Sequence, residues 1–343
     1  MRIGIVNDLA LAREVLQRVV LSVPGHVIAW CAEDGDVAVT KAADDRPDVI
    51  LMDLVMPRVN GVEATRQIMQ RSPCPILVVT ASVGTNYALA CGAMGAGALD
   101  AVETPTFGPG GTIRNGEKLV NRLAQLEAAL GDTGSRVLPV LPTPASVPAD
   151  GPPLVVLGAS TGGPEALCQV LSAFPADLPA AVLICQHIGA DFALGLVQQL
   201  ATSCRMTVRA ARTGHVPTAG TVHVAVSNDH LELGPDRVLR YNPNPRHLPF
   251  RPSVDVLFSS AAAHSGCPGV GALLTGMMRD GAEGLFRLRA AGWHTIAQDE
   301  ATSVVKDGMP KAAVARGAAV EVLPVQHIGD SIVARILTRK RRA

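Results

Sequence analysis

Short apolar runs alternate with helix-like stretches from residue 2 to about residue 130, and the alternation resumes at residue 154. No other feature restricts the fold so strongly. A strand that returns parallel to its predecessor needs a crossover, usually a helix, so repeated β/α units build parallel sheets covered by helices. In the first half "RIGIVN", "HVIAWC", "DVILMD", "PILVVT" and "GALDAV" read as strands. Between them "LALAREVLQRVVL", "DGDVAVTKAAD", "NGVEATRQIMQRS" and "NYALACGAMGA" read as helices, and "GEKLVNRLAQLEAALG" closes the set. Five such repeats predict a doubly wound parallel sheet. In the second half "LVVLGA", "AAVLICQ", "TVHVAV", "GVGALLT" and "HTIAQD" read as strands. The helix candidates there are "GPEALCQVLSAF", "FALGLVQQLAT", "VDVLFSSAAAHS", "AEGLFRLRAA" and "MPKAAVARG". "DHLELGPDRVLRY" reads as a hairpin with a Gly-Pro turn.

The two rhythms are separated by "GDTGSRVLPVLPTPASVPADGPP", Gly131 to Pro153, which has neither period and reads as an extended linker. The expected division is therefore a first domain over 1–120, a helix end and Pro/Ala/Ser-rich linker over 121–152, and a second domain over 153–340. The fold class is α/β with two doubly wound parallel-sheet domains. Aromatics make up 3 % of the chain against 48 % hydrophobic residues, so both cores rest on Ala, Val, Leu and Ile.

Net charge is +0, and the basic residues cluster only at Arg339, Lys340, Arg341 and Arg342. Nucleic acid binding has no electrostatic footprint here. The 7 cysteines form no C-x-x-C pair and no metal-ligand spacing. Scattered thiols and a start that reads as a strand predict a cytoplasmic protein. No apolar run approaches the roughly 20 residues of a membrane helix, so no membrane insertion is expected.

Loops after the carboxyl ends of parallel strands carry chemistry. Asn7 and Asp8 follow the first strand, Asp53 ends the third and Thr80 ends the fourth. These strands are expected side by side, which brings the acids to one edge. Clustered carboxylates attract Mg²⁺, and a carboxylate beside it can take a phosphoryl group as an acyl phosphate. Each acid taken alone reads more readily as a loop or helix cap, and it is the three strand ends together that favour the site.

In the second half "GASTGG" places Ser160 and Thr161 where a strand turns into a helix. Gly158 to Gly162 fits G-x-S-x-G, the pattern of an exposed serine nucleophile. A phosphate loop or a plain turn fits the same short pattern. A nucleophile needs a base and an orienting acid. Among 9 histidines, His187 directly follows the strand expected beside that of the serine. Asp280 follows "VGALLT" and could sit at the same edge, although Asp280 and Glu283 also fit a D-x-x-E capping box.

Residues 1 to about 120 resemble the receiver domain of bacterial response regulators, a flavodoxin-like fold. The resemblance implies Asp53 as phosphoacceptor, Asp8 with Asp53 as Mg²⁺ ligands, and Thr80 as the switch hydroxyl. Two departures stand out. Receivers usually carry two acids after the first strand, where this chain has Asn7 before Asp8. They also carry a Lys before the Pro after the fifth strand, where "DAVETP" has Thr104.

Residues from about 153 to 340 resemble the catalytic domain of CheB-type chemotaxis methylesterases, a Rossmann-like fold. The matching motifs are "GASTGG", "CQH" before "DF", "RPSVDVLF", "LLTGM" with "DGAEGL", "AQDEATSVV" and "GMPKAA". "MRIGIVND" and "AMGAGALDAVETP" look closest to the WspF-like branch, which serves a surface-sensing pathway. The resemblance implies Ser160 as nucleophile, His187 as general base and acid, Asp280 as orienting acid, and Thr161 with the Met277 N–H at the oxyanion. It implies hydrolysis of glutamate γ-methyl esters, with glutamine deamidation, on a methyl-accepting chemoreceptor. A CheA-type histidine kinase is the implied phosphodonor, and no cofactor is implied at the esterase site. The unphosphorylated receiver is expected to cover the esterase cleft. Local departures are the missing Pro after His187, Met278 where a Gly commonly stands, and one extra residue in "SVVKDGMPK". A phosphorylation-gated binding module is the alternative function. A DNA-binding regulator lacks a helix-turn-helix signal and a basic face.

Overall fold

The computed structural model describes residues 1–81, 86–131 and 151–340. The expected linker lies almost wholly outside the described residues, as do Arg341 and Arg342 of the basic tail. The chain divides into two compact units, Met1–Thr133 and Gly134–Ala343.

The first unit runs β1 (Arg2–Val6), α1 (Ala10–Leu21), β2 (Val27–Ala32), α2 (Gly35–Asp44), β3 (Val49–Asp53), α3 (Gly61–Arg71), β4 (Ile76–Thr80), α4 (Tyr87–Ala96) and β5 (Asp100–Glu103). A two-residue antiparallel pair, β6 (Thr106–Phe107) and β7 (Ile113–Arg114), precedes α5 (Gly116–Leu130). The five long strands are parallel in the order β2-β1-β3-β4-β5. That is the flavodoxin-like order. β1, β3 and β4 are neighbours, as expected. Ile3, Ile5, Ile50, Leu51, Ile76 and Leu77 are fully buried. Their unbroken apolar runs reflect a sheet covered on both faces.

The second unit runs β8 (Leu154–Ala159), α6 (Gly163–Ser172), β9 (Ala181–Gln186), α7 (Ala190–Ser203), β10 (Thr207–Ala210), β11 (Thr221–Val224), β12 (His230–Leu233), β13 (Leu239–Asn242), α8 (Val254–His264), β14 (Val270–Leu273), α9 (Ala282–Ala290), β15 (His294–Gln298), α10 (Met309–Ala315), β16 (Glu321–Leu323) and α11 (Val325–Lys340). Seven strands form a parallel sheet in the order β10-β11-β9-β8-β14-β15-β16. The chain starts at the centre, builds outward through β9, then returns to build the other half from β14. The strand order therefore reverses between β8 and β14, and the crevice outside such a switch point is the usual ligand site of an open α/β sheet.

β12 and β13 form the expected antiparallel hairpin, with Leu233 opposite Leu239. Leu233 N–H donates to Ser260 Oγ of α8 at 3.1 Å, which fixes the hairpin against that helix. Edge strands β10 and β16 and helix α11 were not anticipated. Ile328, Ile332 and Ile336 of α11 recur every fourth position and are buried.

Candidate active site

Ser160, His187 and Asp280 follow β8, β9 and β14, three adjacent strands. The β8–β9 register pairs Ala159 with Gln186, so Ser160 and His187 come next on neighbouring strands. His187 N–H donates to Ala159 O at 3.0 Å, and Ser160 N–H donates to Thr275 O at 3.0 Å. The serine backbone is thus tied to both flanking strands. Gln186 donates from Nε2 to Ser160 O at 2.8 Å and His187 O at 3.1 Å. Thr275 Oγ1 donates to Thr161 O at 3.1 Å and accepts Val304 N–H at 3.0 Å. Gly162 turns the chain into α6 with φ of 76°, and a Cβ there would meet Val304 at 2.5 Å. Only glycine fits both the left-handed backbone and that contact.

His187 and Asp280 meet directly: His187 Nε2–H donates to Asp280 Oδ2 at 2.6 Å. The imidazole stacks on Phe250, with centroids 4.2 Å apart and planes 9° from parallel. Asp280 is held by the start of α8. Ser253 Oγ donates to Oδ1 at 2.8 Å, Val254 N–H to Oδ2 at 2.7 Å and Asp255 N–H to Oδ1 at 3.2 Å. A carboxylate at a helix N-terminus satisfies orphan N–H groups and faces the positive end of the dipole. Burial works against the Asp280 charge, but the hydrogen bond and charge of His187, with the Ser253 and Val254 bonds, outweigh it and hold the carboxyl at about 2. Burial and the Asp280 charge push the neighbouring Asp255 well above the usual carboxylate range. The capping-box alternative for Asp280 is not what forms. Gly281 is the N-cap of α9, and Glu283 pairs with Arg287 and Arg316.

Four buried polar atoms at this edge have no hydrogen-bond partner among the described residues: Ser160 Oγ, Thr161 Oγ1, His187 Nδ1 and Gln186 Oε1. Buried polar groups are normally satisfied, so orphans gathered at one edge mark a place prepared for a polar ligand. Because Nε2 is engaged by Asp280, Nδ1 is the nitrogen left to act as base. No hydrogen bond yet joins it to Ser160, and such bonds are commonly loose before substrate binds. Met277 follows Gly276 in the loop that Met309 N–H clamps through Gly276 O at 2.8 Å. Met278 takes a left-handed backbone with φ of 65°, a conformation that favours glycine.

Ser253, Phe250, Gln186 and Thr275 were missed as site residues. Only Ser253 carried a local signal, as the N-cap of α8, where its side chain accepts Val256 N–H.

In the first unit Asp8 and Asp53 stand at the ends of the neighbouring strands β1 and β3. Asn7 Nδ2 donates to Asp53 Oδ2 at 2.9 Å, and Asn7 Oδ1 accepts Leu9 N–H at 2.9 Å. Burial, with a smaller push from the Asp8 charge, lifts Asp53 to about 6 against the N–H bonds of Leu54 and Val55. Thr80 is buried and accepts Asn86 Nδ2–H at 2.8 Å. Thr104 N–H donates to Thr80 O at 2.9 Å, which sets an uncharged residue next to Thr80. Two mutually repelling carboxylates suit Mg²⁺, which retains several waters and takes few protein ligands.

Comparison with known proteins assigns each unit to a family. The chain matches the CheB methylesterase family over residues 155–332 and the response regulator receiver domain family over residues 3–106. It is 49 % identical over 342 residues to protein-glutamate methylesterase/protein-glutamine glutaminase 4 of Burkholderia thailandensis, covering 100 % of this chain and 99 % of that one. The protein-glutamate methylesterase/protein-glutamine glutaminase of Mesorhizobium japonicum is 47 % identical, covering 97 % and 98 %. The crystal structure of the Thermotoga maritima CheB methylesterase catalytic domain superposes with a TM-score of 0.50 at 31 % identity, over 54 % of this chain and 98 % of that one. With both family matches and curated relatives aligned over its whole length, the chain belongs to the CheB family of receiver-linked methylesterases.

Proposed function

We propose that this protein hydrolyses glutamate γ-methyl esters, and deamidates glutamines, on a chemoreceptor, with Ser160 as nucleophile. The observation that carries the reading is the His187–Asp280 hydrogen bond beside an unpartnered, buried Ser160 hydroxyl. His187 Nδ1 takes the Ser160 proton as Oγ attacks the γ-carbonyl carbon. The oxyanion is received by the Met277 N–H and the turn at Thr161. His187 returns the proton to the leaving methoxide, and methanol departs. Water, deprotonated by His187, then cleaves the acyl-enzyme to free glutamate and Ser160. A glutamine substrate releases ammonia by the same steps. Asp280 stays ionised throughout and holds the imidazolium.

In the receiver, Asp53 Oδ would attack the phosphoryl donor, a CheA-type kinase, and Thr80 Oγ would hydrogen-bond the product. Asp8 and Asp53 would hold Mg²⁺, which when bound neutralises phosphoryl oxygens. Phosphorylation then shifts the population toward the active esterase. Asn7 and Thr104 remove two charges that usually support that shift, so the response is expected to be shallow.

Methanol release from methylated receptor, by wild type and Ser160→Ala, tests the reading. Release that disappears with Ser160 supports it. Release that survives Ser160→Ala overturns it.

A further inference from the structure

The loop between β13 and α8 does more than hold the site. It supplies Phe250 to His187 and Ser253 to Asp280, and it also carries Arg246 and Arg251. Arg279 immediately precedes Asp280 on the facing loop. Arg246 and Arg279 are exposed and Arg251 is half-buried. None of the three guanidinium groups has an acidic or carbonyl partner among the described residues. Elsewhere in the same unit Arg240, Arg287, Arg316 and Arg335 pair with carboxylates, and Arg205, Arg237 and Arg289 with carbonyls; Arg209 and Arg212, at the β10 edge, share the lack of such a partner among the described residues. Residues 243–253 contain no acid. Asp280 is spent on His187 and α8, and Asp229, on the loop before β12, pairs with none of the three. The two loops that hold His187 and Asp280 thus carry three arginines, with no acid among residues 243–253 to neutralise them.

We infer that Arg246, Arg251 and Arg279 form a docking rim for an acidic stretch of the polypeptide that carries the glutamyl ester. The inference rests on the esterase reading and adds a substrate requirement to it. Planar guanidinium groups recognise carboxylates in fork geometry. The chemistry itself supplies those carboxylates: each hydrolysed ester becomes a glutamate, so a segment with several esters grows more acidic around those that remain. A basic rim holds such a segment more firmly as turnover proceeds, and it steers encounter over a range set by ionic strength.

The test uses the full-length protein with Mg²⁺ and a small phosphodonor. Two peptides carrying one γ-methyl glutamate are compared, one flanked by glutamates and one by serines. Wild type is expected to favour the acidic peptide in kcat/KM, and the ratio should collapse toward one between about 0.05 and 0.5 M salt. In Arg246→Gln/Arg251→Gln/Arg279→Gln the ratio should fall about three- to tenfold. Should that variant not fold, Arg279→Gln alone, at an exposed position, is expected to lower the ratio in the same direction. An unchanged ratio, or an equal loss on both peptides, overturns the rim.

If neither peptide is hydrolysed in a Ser160-dependent way, the esterase reading fails, and the rim is judged separately. Fluorescence anisotropy of the labelled acidic peptide on full-length Ser160→Ala protein then decides. A Kd raised at least threefold by the arginine changes supports the rim, and an equal Kd overturns it. Tighter binding of a DNA oligonucleotide of equal charge, lost with the same arginines, also overturns it in favour of a nucleic acid surface.

Discussion

Met278 and Asp280 show how much single residues contribute to this site. Met278 holds φ of 65° without being glycine, a conformation disfavoured by roughly 1 kcal/mol for a residue with a Cβ. Met278→Gly removes that strain and adds some unfolded-chain entropy. It is expected to stabilise the second unit by about 0.5 kcal/mol, read as a higher denaturant midpoint of its unfolding transition. A lower midpoint would mean that the Met278 side chain matters more than its backbone. Asp280 is held at about 2, below its ordinary 3.8, by His187, Ser253 and Val254 against the effect of burial. A depressed pKa gives stability that is full above the unfolded value and is lost as pH falls through the folded one. Wild type should therefore lose this contribution between about pH 4 and pH 2, and Asp280→Asn should lack that acid-dependent portion. At neutral pH Asp280→Asn should also lower kcat by about 10³- to 10⁴-fold, because an amide cannot orient and charge-stabilise the imidazolium. A loss confined to KM would contradict the role given to Asp280.

At the scale of elements, the central strands were legible and the edges were not. β8 and β9 are buried along their whole length and read as continuous apolar runs. β10 and β16 are short edge strands with exposed positions, so their sequences carry little period. α11 does show a four-residue spacing of isoleucines, but Gly329, next to Ile328, lowers its helix propensity; there α11 packs against Val170 O of α6, where a Cβ would come within 2.5 Å. The placement of Ser160, His187 and Asp280 was legible because a parallel sheet delivers its carboxyl ends to one edge. The support of Asp280 was not, since it depends on a contact with Ser253, 27 residues away, between two loops. Ser253 both caps α8 and fixes Asp280, so Ser253→Ala should act at both levels. Loss of about 1–2 kcal/mol in stability is expected from the cap, together with a fall in kcat that exceeds any change in KM. Ser253→Thr keeps the hydroxyl and should restore kcat. A kcat unaffected by Ser253→Ala would separate the cap from the site.

At the scale of the whole molecule, the two units were foreseen from the two runs of β/α alternation, and curated relatives align with the chain across both of them. The departures in the receiver were equally visible in the sequence, but their consequence was not. Asn7 does not merely remove a charge, because its amide donates to Asp53. Asn7→Asp replaces that donor with a second carboxylate. It should lower the Mg²⁺ concentration needed for half-maximal phosphodonor labelling of Asp53, by several-fold on the affinity scale of added carboxylate ligands. An unchanged requirement would show that the amide already serves as well as an acid.

The central claim is that Ser160 is an activated nucleophile worked by His187. Full-length protein exposed to an organophosphonate ester, digested and read by mass spectrometry, addresses it directly. The account predicts one adduct, on Ser160, formed by wild type and abolished by His187→Ala. Methanol release by wild type with no adduct on Ser160, or with the adduct on another serine, would contradict it.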